Sequence, residues 1–377
     1  MVLKDQNSER TVDILATNIR GMGAVRLVES LLPSLEGVGS DRIGRVWLPD
    51  AGPLAGYGDG EGGGRYRCYR RYLPNAVSRT LECLFLGRWM AGDGSALVLG
   101  DLPIRGISRQ VVFVHSPFVL AGSSGSSLSA RLTGVLLRAI FRANQKFIAA
   151  AIVQTETMRS QLVAIYPGLA GKVAIVGQPA PAWLSAVAAD VPSPPDARLR
   201  LFYPAASYPH KNHALIRAFA ERGRSGDLVE AITLTTEAPA DHAPQTMLRY
   251  LGTLDPVRVK EEYARCDALL FPSLGESYGL PLVEAMSLGL PIVAADLPYA
   301  RALCGAGAIY FDPHSDESLA AAIADLARKR SLGWRPDWSA QLAMIPESWD
   351  EVARQMLAVI DAANGGTGIP SQKSPSE

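Results

Sequence analysis

Glu276 and Glu284 bracket the segment Ser277-Tyr278-Gly279-Leu280-Pro281-Leu282-Val283, which follows the apolar run Ala268-Leu269-Leu270-Phe271. Pro281 suits the first helical position and Gly289 the residue just past the end, so the pattern predicts a short helix over 281–288 whose N-terminus faces the carboxyl end of a strand. Free amides around Gly279, Leu280, Leu282 and Val283 then add to the helix dipole, and together they make a site for an anion such as a diphosphate. Gly279 lets the backbone approach such a ligand closely. Glu284 falls in the first helical turn beside that anion, where a carboxylate is repelled unless it accepts hydrogen bonds from something neutral. A ribose diol supplies two such donors. Glu276, on the loop before the helix, is placed to accept from sugar hydroxyls or to stabilise positive charge near an anomeric carbon. The spacing of the pair carries little weight by itself, because chance gives roughly one such pair in a chain of this composition. The strand, glycine, proline and helix around it carry the reading.

A second element, Tyr208-Pro209-His210-Lys211-Asn212-His213, follows the strand Arg200-Leu201-Phe202-Tyr203. Asn212 reads as the N-cap of a helix over 214–220, which makes Lys211 a point charge beside a helix N-terminus, suited to neutralising a diphosphate leaving group. His210 is the nearest second cation. A neighbouring diphosphate favours its imidazolium and Lys211 opposes it. In the N-terminal half, Asn18-Ile19-Arg20-Gly21-Met22-Gly23-Ala24 follows the first strand and opens a helix. Gly21 and Gly23 in this setting also suit any dinucleotide fold, and no acidic residue ends a clean second strand about 20 residues later. His115 ends the strand Val111-Val112-Phe113-Val114. Arg131, Arg138, Arg142 and Lys146 fall within about 80° of one another on a helical wheel. Arg65, Arg67, Arg70 and Arg71 interleave with Tyr66, Tyr69 and Tyr72. Either basic group suits anionic lipid or a lipid-diphosphate acceptor, although a basic stripe is commonly a solvated face.

The elements that must position these residues alternate between short apolar runs and helical patterns, the mark of parallel strands joined by crossover helices. Strands are read at 12–16, 45–48, 96–99, 111–114 and 148–153, then in a second series at 200–203, 231–234, 248–251, 268–271, 291–294 and 308–311. Between the series, Gln178-Pro179-Ala180-Pro181 and Val191-Pro192-Ser193-Pro194-Pro195 leave little room for continuous structure. The reading is an α/β chain with an N-terminal Rossmann-like domain over 1–180, a linker over 181–197 and a second Rossmann-like domain over 198–346. An amphipathic helix over 347–363 and a polar tail over 364–377 follow. Gly-rich stretches at 51–64 and 122–127 interrupt the first domain as loops.

Composition narrows the class. The 377 residues are 48% hydrophobic and 20% charged, which is globular, and 37 Lys and Arg balance 37 Asp and Glu. No global field is left to hold nucleic acid. Gly and Pro, at 35 and 26, are abundant enough for many strand-to-helix turns. Cys68, Cys83, Cys266 and Cys304 show no CxxC spacing, which argues against a zinc site or disulfide framework and for a reducing compartment. With no apolar stretch of spanning length and no cleavable apolar core near the start, the expected location is cytoplasmic or at the cytosolic face of a membrane.

Glu276 and Glu284 within Pro272-Ser273-Leu274-Gly275-Glu276-Ser277-Tyr278-Gly279-Leu280-Pro281-Leu282-Val283-Glu284-Ala285-Met286, followed by Gly289-Leu290-Pro291-Ile292-Val293-Ala294, resemble the retaining glycosyltransferases of family 4. The resemblance is specific over 202–219 and 271–313. It implies the GT-B fold, two Rossmann-like domains facing across a cleft, with the closing helix crossing back to the first. It also implies that Glu276 contacts the transferred sugar, Glu284 holds the ribose, and the amides between them, from Ser277 and Tyr278 to Leu280, bind the phosphates of a nucleotide-diphospho-sugar. By the same resemblance Lys211 is the phosphate-binding lysine, Gly21 and Gly23 form a glycine loop near the diphosphate and acceptor, and His115 hydrogen-bonds the donor sugar. The implied reaction is retaining transfer to a glycan or lipid-linked glycan in bacterial polysaccharide or lipopolysaccharide assembly at the inner membrane, GDP-mannose being one candidate donor. The chain departs from the pattern at Ala205, Ala206 and Ser207, where many members carry an arginine. No Asp-x-Asp occurs, so no metal or other cofactor is expected. A GT-B epimerase, a phosphorylase or a catalytically inactive glycan-binding subunit would use the same two domains.

Overall fold

The computed structural model describes residues 11–19, 21–57, 64–73, 75–91, 94–115, 117–120, 128–184, 194, 197–223, 227–240 and 247–365. The expected loop over 122–127, most of the linker and nearly all of the tail lie outside them, as does Arg20.

The chain forms two units, one from residues 1–178 together with 347–377 and the other from 179–346. In the first, β1 (Val12–Leu15), α1 (Met22–Gly39), β2 (Ile43–Pro49), β3 (Tyr66–Tyr69), α2 (Asn75–Phe85), α3 (Gly87–Ala91), β4 (Ser95–Val98), β5 (Arg109–Phe113), α4 (Pro117–Leu120), α5 (Leu128–Asn144), β6 (Ile148–Val153), α6 (Glu156–Ile165) and β7 (Val173–Ile175) follow in order. The strands make a seven-stranded parallel sheet ordered β3-β2-β1-β4-β5-β6-β7. Sequence periodicity missed β3 and β7, the two edge strands of this sheet, because β3 (Tyr66-Arg67-Cys68-Tyr69) has no buried position and β7 is three residues long with one.

The second unit runs β8 (Leu199–Tyr203), α7 (His213–Glu221), β9 (Val229–Leu234), β10 (Leu248–Tyr250), α8 (Pro256–Arg265), β11 (Ala268–Phe271), α9 (Leu280–Ser287), β12 (Ile292–Ala295), α10 (Pro298–Cys304), β13 (Ile309–Phe311), α11 (Asp316–Ser331) and α12 (Ser339–Leu342). Its six strands are parallel in the order β10-β9-β8-β11-β12-β13. Strands β11 and β12 are buried at every position, as expected of parallel strands covered by helices on both faces. The last helix, α13 (Trp349–Gly365), belongs to the first unit, where Val352, Met356, Leu357 and Ile360 join the core beneath α1.

Both sheets carry the strand order of doubly wound folds. In each, the first strand of the unit lies in the interior of the sheet and successive strands extend from it in opposite directions. The reversal falls between β1 and β4 in the first sheet and between β8 and β11 in the second. Loops leaving the carboxyl ends of those strand pairs part around a crevice, which is where ligands bind such sheets.

Candidate active site

In the second unit the loops after β8 and β11 are stitched to each other. The carbonyl oxygen of His210 accepts from the amide of Leu274 at 2.7 Å and from Ser273 Oγ at 3.2 Å. Asn212 occupies the N-cap position of α7, as its place in the sequence suggested, but not in the usual capping geometry. It adopts a left-handed conformation with φ of 56°, and its side chain makes no bond to the amides of α7. Asparagine tolerates that conformation better than other side chains. Its Nδ2 donates instead to the carbonyls of Pro272 at 3.2 Å and Pro313 at 2.9 Å, tying three strand ends together. Two buried tyrosines brace the same loops: Tyr203 donates to the Lys211 carbonyl at 2.9 Å, and Tyr299 donates to the Ser273 carbonyl at 2.6 Å.

This scaffold brings two of the sequence candidates into contact. Lys211 Nζ donates to Glu276 Oε1 at 2.6 Å. Beside them lies the N-terminus of α9. The first helical residue is Leu280, with Gly279 as N-cap and Pro281 in the second position, one residue earlier than the sequence suggested. Gly279 has φ of 98°, and a Cβ there would lie 3.1 Å from Leu282 Cδ1, so the chain's own conformation requires glycine before any ligand is considered. The amide of Leu282 is not free, because it donates to the Gly279 carbonyl at 2.9 Å. Among the described residues, the amides of Ser277, Gly279 and Leu280 have no acceptor, and they retain the capacity to hold an anion. The side chain of Tyr278 packs in the hydrophobic core and is not presented to a ligand.

Glu284 sits in the second turn of α9, not the first, and is 8% exposed. Its Oε2 accepts from the hydroxyl of Tyr263 on α8 at 2.7 Å. Burial pushes the carboxyl up to about 7, against the opposing pull of that hydrogen bond. His210 stacks on Tyr208 with ring centroids 5.7 Å apart. Burial first and Lys211 second lower its pKa below the ordinary histidine value, with Glu276 opposing, so in the ligand-free protein it is neutral at pH 7.

In the first unit, Gly21 caps α1 at a φ of −68°, and among the described residues a Cβ at Gly21 or Gly23 would meet no atom within 4 Å outside its chain neighbours and its own helix backbone. The protein itself therefore does not demand glycine there. His115 Nε2 contacts the carbonyl of Leu99 at 2.9 Å, and its backbone amide donates to Asp101 Oδ1 at 2.8 Å. One ring nitrogen of His115 is thus engaged at the end of β4.

The largest feature that sequence reasoning missed is a buried ionic cluster under the β1 and β4 loops. Glu82 is fully buried on α2 and accepts from Thr17 Oγ1 at 2.5 Å, from Arg71 at 2.7 Å and from Arg79. Arg79 also donates to the Gly100 carbonyl at 2.6 Å, and a Cβ on Gly100 would lie 2.8 Å from that guanidinium. Arg71 falls in sequence among arginines of a surface cluster, but its side chain is only 6% exposed. Its charge is committed to Glu82 because the chain turns inward after the edge strand β3. Arg65 and Arg67 remain at the surface, bonded to the backbone carbonyls of Ser40 and Tyr66. Four arginines close in sequence give no sign of which one is internal.

Two doubly wound parallel sheets define the GT-B fold. Residues 237–339, within the second unit, match the family model for Glycosyl transferases group 1. The O-antigen chain mannosyltransferase RfbU of Salmonella typhimurium is 28% identical over 128 residues, 32% of this chain and 36% of that protein. A phosphatidyl-myo-inositol mannosyltransferase of Mycobacterium leprae is 32% identical over 126 residues, 32% of this chain and 34% of that one. The chain thus aligns with little more than a third of either relative. Among solved structures, a sucrose-phosphate synthase of Thermosynechococcus elongatus is similar over 95% of this chain and all of its own at a TM-score of 0.67 and 15% identity. WaaG, a glycosyltransferase involved in lipopolysaccharide biosynthesis, is similar over 95% of this chain and 98% of its own, at 0.60 and 15%.

Proposed function

We propose that this protein transfers a sugar from a nucleotide-diphospho-sugar to a glycan or lipid-linked glycan acceptor, with retention at the anomeric carbon. The observation that carries the reading is the meeting of Lys211 and Glu276 beside the amides of Ser277, Gly279 and Leu280 leading into α9, which have no acceptor among the described residues, at the carboxyl ends of β8 and β11. Lys211 and the amides neutralise the departing diphosphate, Glu276 faces the transferred sugar, and Glu284 takes the ribose. The acceptor hydroxyl attacks on the face the phosphate leaves, and the phosphate takes its proton. His115, Gly21 and Gly23 are the first unit's candidates for contact with sugar or acceptor. The mannosyltransferase relatives support a mannosyl donor such as GDP-mannose and a role in O-antigen or related polysaccharide assembly. With diphosphate charge met by Lys211 and backbone, the reaction proceeds without a divalent metal.

Calorimetry with GDP and UDP, paired with transfer assays, tests these roles. Glu284→Ala is expected to weaken nucleotide binding itself, whereas Glu276→Ala lowers turnover while nucleotide still binds. Undiminished affinity in Glu284→Ala overturns the assignment. Full inhibition by EDTA, reversed by Mn²⁺, overturns the metal-free mechanism.

The acceptor side is proposed to work at an anionic membrane surface. Leu132, Val135 and Leu136 form an exposed apolar stripe on α5, with Arg142 exposed near the end of that helix and Lys146 exposed in the turn just beyond it, whereas Arg138 is half-buried with Nη1 enclosed. The side chain of Arg131 lies outside the described ones. On α2, which packs against α5, Val77, Leu81 and Phe85 are exposed at four-residue intervals. Apolar side chains beside cations are the pattern of an interfacial helix. No helix among the described residues is long and apolar enough to cross a membrane. Sedimentation with phosphatidylglycerol vesicles, and its loss in Leu132→Glu/Leu136→Glu, is the expected result. Equal sedimentation with phosphatidylcholine vesicles, or none with either, removes this part.

A further inference from the structure

Tyr263 lies on α8, in the second unit, and is 1% exposed, with its ring edge-on to Phe202 at 5.0 Å. Among the described residues its hydroxyl makes one hydrogen bond, at 2.7 Å to Glu284 Oε2. A phenol has one proton to give, so this bond commits one oxygen of Glu284 and fixes the plane of the carboxylate. Among the described residues no donor reaches the other oxygen. Resting on the assignment of Glu284 to the ribose, we propose that Tyr263 is a positioning residue that holds this carboxylate with Oε1 presented to the ribose hydroxyls of the donor nucleotide.

The surroundings make this bond unusually important to Glu284. Strands β11 and β12 and helix α12, all packed against α9, bring no titratable side chain. Helix α10 brings Tyr299, Arg301 and Cys304. Tyr299 is bonded to the Ser273 carbonyl and Arg301 to Asp296, and Cys304 is a buried thiol held well above its ordinary pKa. From α8 the group that reaches Glu284 is Tyr263. Its hydrogen bond favours the charged carboxylate, the form that accepts both hydroxyls of a diol, against a burial that favours the neutral form. Losing the phenol therefore both frees the carboxylate to rotate and shifts it toward the protonated acid, which is a poorer acceptor.

Isothermal titration with UDP, GDP and ADP at pH 6, 7 and 9 tests the proposal on wild type, Tyr263→Phe, Glu284→Gln and the double variant. For the nucleotides that wild type binds, Tyr263→Phe is expected to bind roughly three- to tenfold more weakly at pH 6, with the gap narrowing toward pH 9. In the Glu284→Gln background the same substitution should change little, since the coupling runs through the carboxylate. A deficit uniform across pH and undiminished in the Glu284→Gln background shows general packing damage and overturns the proposal. If Glu284→Gln loses affinity while Tyr263→Phe follows wild type at every pH, the Tyr263 role alone falls. If Glu284→Gln binds as wild type, or no nucleotide binds wild type, the ribose assignment falls with it. Should Tyr263→Phe fail to fold, the ¹³C resonance of the Glu284 carboxyl in wild type decides. A midpoint near 7 that drops when nucleotide is added supports the proposal, and an ordinary, nucleotide-insensitive carboxylate titration overturns it.

Discussion

Lys211 and Glu276, far apart in sequence and carried by different loops, meet at 2.6 Å with side chains 16% and 12% exposed. In the ligand-free protein each charge is the other's principal partner. Removing one leaves the other largely desolvated and unpaired. Lys211→Met and Glu276→Gln are each expected to destabilise the second unit, while the double variant is more stable than the sum of the two losses predicts. The coupling should be roughly 0.5–3 kcal/mol in a double-mutant cycle of urea unfolding. Strict additivity would mean that the pair contributes nothing to the fold and forms only incidentally.

Glu284 gives stability a pH dependence of opposite sign to that of an ordinary paired carboxylate. Its folded-state pKa of about 7 lies above the ordinary 4.5, so between these values the folded protein holds a proton that the unfolded chain has released. Stability is therefore full below pH 4.5 and is lost as pH rises through 7, by up to about 3 kcal/mol for this group alone. Glu284→Gln keeps an acceptor for Tyr263 and cannot ionise. Without ligand it should outlast wild type in urea at pH 8 and match it near pH 4.5. Parallel stability curves for the two proteins across that range would refute the buried-acid description.

His210 is expected to remain neutral across pH 7 to 9, since burial and Lys211 both lower its pKa. His210→Ala should then leave the alkaline side of the turnover profile unchanged and cost only the stacking on Tyr208. An alkaline decline in wild type that flattens in His210→Arg would instead show that the bound diphosphate restores the imidazolium. The ring would then supply the positive charge absent at Ala205, Ala206 and Ser207.

The Glu82 cluster predicts a large effect far from any sugar contact. Glu82→Ala removes the buried carboxylate that balances the charges of Arg71 and Arg79 and bonds Thr17, so it should cost the first unit roughly 3–5 kcal/mol. Gly100→Ala, which drives a methyl into Arg79, should also destabilise this unit. Thermal unfolding of both variants checks this, and a shift within the range of surface substitutions would show that water replaces the lost partners.

Much of this was legible in one dimension. Alternating apolar runs and helical patterns reveal the parallel sheets, because strands buried on both faces must be apolar throughout. The Gly279-Leu280-Pro281 start of α9 was visible to within one residue, since glycine and proline impose backbone geometry locally. Pairings between elements were not visible. On the wheel of α8, Tyr263 occupies a buried position like any core aromatic, and Arg71 sits among arginines that stay outside. Asn212 has the identity and position of a helix cap, yet its φ of 56° and its bonds to Pro272 and Pro313 are set by loops reached only after long stretches of chain. Periodicity states which face of an element leaves water. Which polar atom it then meets is decided by the packing of elements distant in sequence, where a desolvated hydroxyl, amide or guanidinium must find a partner.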